Sequence, residues 1–242
     1  MKNYKLLIQY DGTNYAGWQS QINARTIQDE ISNAINVVLN ENINLIGAGR
    51  TDSGVHALGQ VANFRTEQTL DLYRFKYQLN SILEKDISIF QIKEKEDSFH
   101  SRYDAKKRSY IYLISKYKSP FYLKYSYFCN YKIDCNRLNF LSKVFIDQRD
   151  YTSFSRKNSD TENKVCCIYD AAWKERKDII IFKIEADRFL HGMVRTIAGT
   201  LLKALKYGYD KNYIEEIILN KDRESAGEAV PAKGLFLFKV KY

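Results

Sequence analysis

The apolar positions of the chain fall into short runs broken by glycine, asparagine and charged residues. YKLLIQY, residues 4–10, reads as a strand followed by the turn-rich loop DGTNYAGW. Thr26 with Asp29 three residues on has the form of a capping box. Ile27, Ile31, Ala34, Ile35 and Val38 then recur at helical spacing. INLIGAG (43–49) and GQVANFRT (59–66) read as two further strands. Residues 71–83 read as a second helix, with Leu72, Phe75, Leu79 and Ile82 on one face, and ISIFQIKE (87–94) as a fourth strand. The order β-α-β-β-α-β is that of ferredoxin-like folds.

The second half repeats this rhythm without repeating the sequence. KRSYIYLIS (107–115) predicts a strand and CNRLNFLSKVF (135–145) a helix. YTSFS (151–155) opens an irregular stretch, and CCIYDAAWKE (166–175) and DIIIFKIEA (178–186) predict two strands. Residues 191–208 predict a helix with Val194, Ile197, Ala198, Leu201 and Leu205 toward the core; 210–219 predict another helix, and 234–242 a last strand. The expectation is an α+β protein of two ferredoxin-like halves, residues 1–100 and 101–242, with an active-site cleft between them.

A length of 242 residues suits one or two domains with real cores. No apolar run reaches the ~18 residues of a membrane span, and Leu6-Leu7-Ile8 is too short for a signal peptide, so a cytoplasmic location is expected. Cys129, Cys135, Cys166 and Cys167 form no CxxC pair and read as reduced thiols. The net charge of +9 is unevenly placed. Residues 1–100 hold 10 basic and 12 acidic side chains, and residues 101–242 hold 28 and 17. A basic half with 19 tyrosines in the chain suits a polyanion, and nucleic acid in particular, because bases stack on aromatic rings.

The stretch LIGAGRTDSGVHALGQVANF, residues 45–64, concentrates candidate chemistry. Gly49 and Gly54 have P-loop spacing, but Val55 and His56 stand where Lys and Ser/Thr are needed, and Asp52 would repel phosphate. Gly47 and Gly49 begin a GxGxxG that fails at Asp52. Asp52 and His56 alone are too few for zinc, so no metal is expected. IQYDGT approaches the DxDGT of aspartyl-phosphate enzymes, but Gln9 stands at the nucleophile position and a carboxamide cannot form the acyl phosphate. A glycine-rich connection, with Asp52 in an Asx-turn, accounts for the glycines. It does not account for Arg50, Thr51, Asp52 and His56 crowding one loop after a buried strand.

GAGRTDSGVHALGQVANF closely resembles the catalytic motif of the TruA family of tRNA pseudouridine synthases. YDGTNYAGWQSQINARTIQDEI, KKRSYIYLI, DYTSFS, FLHGMVRTIAGTL and AGEAVPAKGLFLFKVKY resemble further family blocks, in the family order and over nearly the whole chain. The resemblance implies two ferredoxin-like halves and isomerisation of uridine to pseudouridine on the 3′ side of the tRNA anticodon stem-loop. It implies no cofactor, and a homodimer with one tRNA touching both subunits. Asp52 matches the catalytic aspartate, Tyr110 a tyrosine of the site, Arg195 an arginine that pairs with the aspartate, and Arg50 an arginine that helps extrude the base. Arg108 shares a strand face with Tyr110 and Tyr112, a basic-aromatic surface suited to RNA or a half-exposed sheet face. Arg195 shares a helix stripe with His191, Gly199 and Leu202, where the small Gly suggests close packing. Two departures stand out: Gly192 where family members often carry His, and Ala229-Val230 where Thr-Ala is usual. An RNA-binding module without catalysis and a phosphoryl-transfer enzyme are the competing expectations.

Overall fold

The computed structural model describes residues 1–157 and 161–242. Internal contacts divide the chain into two units, residues 1–106 with 237–242, and residues 107–236. The last six residues thus return to the first unit, a long-range association that a linear division at residue 100 does not contain.

The first unit contains β1 (Lys2–Tyr10), α1 (Ile27–Leu39), β2 (Ile46–Gly47), β3 (His56–Thr66), α2 (Leu72–Ile82) and β4 (Ile87–Lys95). Its strand order β4-β1-β3-β2 is ferredoxin-like and antiparallel throughout. Tyr4, Leu6, Ile8 and Tyr10 lie on one face of β1 and are buried. α1 starts at Thr26, whose hydroxyl accepts the Asp29 amide and donates to the Asp29 carboxylate. Its buried stripe is Ile27, Ile31, Ala34, Ile35 and Leu39; Leu39 completes the i, i+4 row and leaves Val38 on the flank. β2 has two residues rather than the seven of INLIGAG. Gly47 lies under the Trp18 indole, which a Cβ there would overlap, and the chain then turns into the Asp52 loop.

The second unit contains β5 (Lys107–Ser115), β6 (Tyr127–Phe128), α3 (Cys135–Ser142), β7 (Asp147–Asp150), β8 (Val165–Glu175), β9 (Ile179–Ala186), α4 (Met193–Tyr207) and α5 (Lys211–Asn220). β5, β9, β8 and β7 are antiparallel in that order, and two-residue β6 runs parallel to the end of β5. β6 and β7 are too short to carry a periodic signal. α3 stops at Ser142 and tightens into a 3₁₀ turn over Lys143–Phe145, which buries the adjacent Val144 and Phe145. The core stacks Trp173 on Phe182 at 4.4 Å and Phe145 on Tyr151, with Phe154 edge-on to both of the latter. YTSFS is therefore a core element: Tyr151 Oη donates to the Phe145 carbonyl and Ser153 Oγ to that of Ile217. β10 (Leu235–Lys241) ends the chain, and its residues from Leu237 onward belong to the first unit. There it lies beside β3, where Gly59 permits the close approach of the Phe238 carbonyl.

All four cysteines are free, and burial pushes the Cys166 thiol up to about 12. Among the described residues no helix is long and apolar enough to cross a membrane.

Candidate active site

In the first unit Asp52 sits in the connection between β2 and β3, which a second loop, residues 11–18, holds from the side. Trp18 N–H donates to the Thr51 carbonyl at 3.1 Å. Ser53 Oγ and the Gly54 amide both donate to the Tyr15 carbonyl, at 3.1 and 3.4 Å. The Thr51 hydroxyl is 2.8 Å from Tyr10 Oη, and Gln60 Nε2 donates to the Gly49 carbonyl at 2.8 Å. The Val55 amide closes a turn onto the Asp52 carbonyl at 3.1 Å. The residues flanking Asp52 on both sides are thus fixed by main-chain bonds. Asp52 itself is half-buried and Arg50 exposed. This is a carboxylate on a rigid mount.

Glycines make the mount possible. Gly17 has φ +106°, and a Cβ there would lie 2.5 Å from the Thr51 carbonyl oxygen. Gly12 faces the Val55 main chain so closely that a Cβ would overlap it. His56, 1% exposed, locks the same junction by accepting the Gly12 amide hydrogen at Nδ1, 3.0 Å away. Asp11 Oδ1 is also 3.0 Å from that nitrogen. Asp11 Oδ1 also accepts from the Thr13 amide and hydroxyl, so His56, Asp11 and Thr13 together tie the turn after β1 to the start of β3. His56→Ala leaves a buried cavity and an unpaired Gly12 amide. The expected cost is about 2–4 kcal/mol, read as a lower urea midpoint at unchanged slope. An unchanged midpoint would show the junction contributes nothing.

The second unit carries Arg108, Tyr110 and Arg195. The β5 face that holds Arg108, Tyr110 and Tyr112 is more enclosed than either expectation for it. Tyr112 is fully buried, donates to the Pro231 carbonyl at 2.9 Å, and has its hydroxyl pKa raised by burial. Tyr110 is 7% exposed, and its ring meets Phe189 edge-on at 5.2 Å. Arg108 Nη1 donates to the Asp187 carbonyl at 2.7 Å. Only an alternation count is visible in a strand's sequence, and it does not say what lies against the face.

Arg195, half-buried on α4, donates from Nε to the Val230 carbonyl at 2.7 Å, and the Val230 amide returns a bond to the Arg195 carbonyl at 3.2 Å. Close packing on that helix stripe has its cause at Gly199, where a Cβ would overlap the Glu228 carbonyl. The segment 228–231 therefore clamps the guanidinium stem. Gly192 opens α4 at φ +74° with open space where a Cβ would go, so a larger residue there faces a backbone cost and no steric clash. In the second departure, Ala229-Val230, Val230 is buried and Ala229 half-buried.

The sequence concentrates the chemistry on the Asp52 loop and shows no role for Gly17, Trp18 or His56, which hold that loop. The pairing of a glycine with a tryptophan in the DGTNYAGW loop was the available signal.

A family model described as tRNA pseudouridine synthase matches residues 6–104 and 142–242. The chain is 42% identical over 244 residues to "tRNA pseudouridine synthase A" of Caldicellulosiruptor saccharolyticus, with both chains fully covered. The proteins of the same name from Acetivibrio thermocellus and Thermoanaerobacter sp. strain X514 are 41% and 39% identical over the same full lengths. The family match, the full-length relatives and the mounted carboxylate agree: the chain belongs to the tRNA pseudouridine synthase family.

Proposed function

We propose that the chain isomerises uridine to pseudouridine on the 3′ side of the tRNA anticodon stem-loop, with Asp52 as the essential carboxylate. The observation that carries this reading is the loop of residues 45–64, whose backbone is fixed on both sides of Asp52. The reaction breaks the N1–C1′ bond, turns the uracil, joins C5 to C1′, and loses the C5 proton while N1 takes one up, so that the product is an isomer of the substrate. An ionised carboxylate serves either as nucleophile or as stabiliser of a sugar cation. Arg195 is the proposed countercharge that pairs with the carboxylate and orients it, and its clamped stem supports that role. Tyr110 offers a ring for the uracil to stack on, before any part as a proton acceptor. Arg50, exposed beside Asp52, fills the gap left by the flipped nucleotide or holds a phosphate; Arg108 contributes to RNA binding. No cofactor is needed for these steps, and two copies of the chain acting on one tRNA complete the proposal.

The basic excess of residues 101–242 supports phosphate contacts as the main source of affinity. Affinity for a tRNA transcript should therefore fall steeply with salt, linearly in a log–log plot. The direct test is release of tritium from tRNA labelled at uridine C5, with and without EDTA. Release undiminished by EDTA is expected. No release with enzyme in excess would reject the synthase reading, and release abolished by EDTA would point to metal-dependent chemistry.

A further inference from the structure

The second unit carries a basic and aromatic surface that the reaction described above leaves unused. It is built where the start of α3, the end of α4 and the start of α5 come together. Phe140, Tyr207 and Tyr209 are exposed there, Phe140 by 45% and Tyr207 by 58%. Tyr207, Tyr209 and Tyr213 form a ladder of rings with centroids 5.8 and 4.3 Å apart. Each outer ring has a cation beside it. Lys211 lies 4.1 Å and Arg137 5.6 Å from the Phe140 centroid, Lys206 5.3 Å from Tyr207, and Lys203 5.8 Å from Tyr213. Arg137 Nη2 also donates to the Tyr209 carbonyl at 3.0 Å, which fixes its plane against the ladder.

Two acids beside the rings cap helices, and Glu175 at the adjoining cavity pairs with Lys116. Asp134 and Asp210 each accept two amides at the first turns of α3 and α5. Among the described residues, Lys107, Lys116, Lys157, Lys183 and Lys221 of this unit hold ion pairs, and of these Lys116 lies at the adjoining cavity. Tyr131 continues the surface, since its hydroxyl donates to the Leu202 carbonyl at 3.2 Å while its ring lines a cavity of about 560 Å³. Lys118 and Lys132 stand at that cavity with Tyr117.

Rings interleaved with cations are the chemistry of single-stranded nucleic-acid binding, in which bases stack on the rings and phosphates meet the cations. We propose that this pole of the second unit is a binding surface for single-stranded RNA, distinct from the residues assigned to the reaction. It rests on an RNA substrate for the chain and adds a contact that does not depend on Asp52.

The test is fluorescence anisotropy of a labelled 12-nucleotide single-stranded RNA of mixed sequence against the full chain. Arg137→Ala/Lys206→Ala/Lys211→Ala should weaken binding at least tenfold, with a log–log salt slope flatter by about 2, at ~0.7 per lost phosphate contact. Phe140→Leu/Tyr207→Leu should weaken binding about tenfold with the slope unchanged, as loss of stacking requires. The single exposed change Lys206→Gln, which carries little risk to folding, should flatten the slope by ~0.7. Binding and slope within twofold of the parent in the triple variant would overturn the proposal. Unchanged binding in the ring variant would overturn it too, leaving plain charge. Tritium release from tRNA by the same preparations separates the two readings: parent RNA binding without release rejects the synthase, whereas release with an indifferent pole rejects only this surface.

Discussion

Asp52→Asn is expected to stop pseudouridine formation, lowering turnover by at least ~10³-fold, while tRNA affinity and thermal stability stay at the parent values. The substitution keeps the size and shape of the side chain and removes its charge. The loop is held by the Thr51, Asp52 and Gly49 carbonyls and by the amide of Gly54 and hydroxyl of Ser53, none of which the change touches. Binding comes mainly from phosphates and cations elsewhere, so an unchanged Kd is the natural companion of lost turnover. Single-turnover kinetics on a transcribed tRNA, beside an anisotropy measurement of Kd, read both halves of this expectation. Turnover within tenfold of the parent would remove Asp52 from the reaction.

Gly17→Ala should reach the same carboxylate indirectly. Its φ of +106° is a region that L side chains rarely adopt, and the added methyl would press on the Thr51 carbonyl at 2.5 Å and on the Asp52 main chain. Either Gly17 moves, taking the Trp18 amide from Thr51, or residues 51–52 move. The expected result is a stability loss of about 2–4 kcal/mol and a fall in turnover of ~10²-fold or more, the consequence of displacing a catalytic group by about an ångström. tRNA affinity should change little. Thermal melts with single-turnover rates measure the two effects, and a variant with parent turnover would show that the mount is not needed.

Much of this architecture is legible because local physics writes it. The Thr26–Asp29 box, the α1 stripe and the alternation along β1 each report on contacts within a few residues, and all three reappear in the structure. The ferredoxin-like order of the first unit follows from the element sequence. What escapes reading is set by distant parts of the chain. β2 keeps only Ile46 and Gly47, and Trp18, almost thirty residues earlier, lies over the second of them. YTSFS looks irregular yet forms core, with Tyr151 and Phe154 against Phe145 and the Ser153 hydroxyl bonded to α5. Residues 237–242 rejoin the first unit. The face of Tyr110 and Tyr112 shows its alternation in sequence but not its enclosure. At the candidate site the acid is legible through the crowding of Arg50, Thr51, Asp52 and His56 in one loop and through the resemblance of that loop to a family motif. Its supports did not stand out, since Gly12, Gly17 and His56 work by fitting against a loop some forty residues away.

The most direct measurement is a nucleotide-resolution map of pseudouridine in a transcribed tRNA after incubation with the parent chain and with Asp52→Asn. Pseudouridine confined to the 3′ side of the anticodon stem-loop with the parent, and none with the variant, is the expected result. A blank map with the parent in excess, or an equal map with the variant, would contradict the assignment.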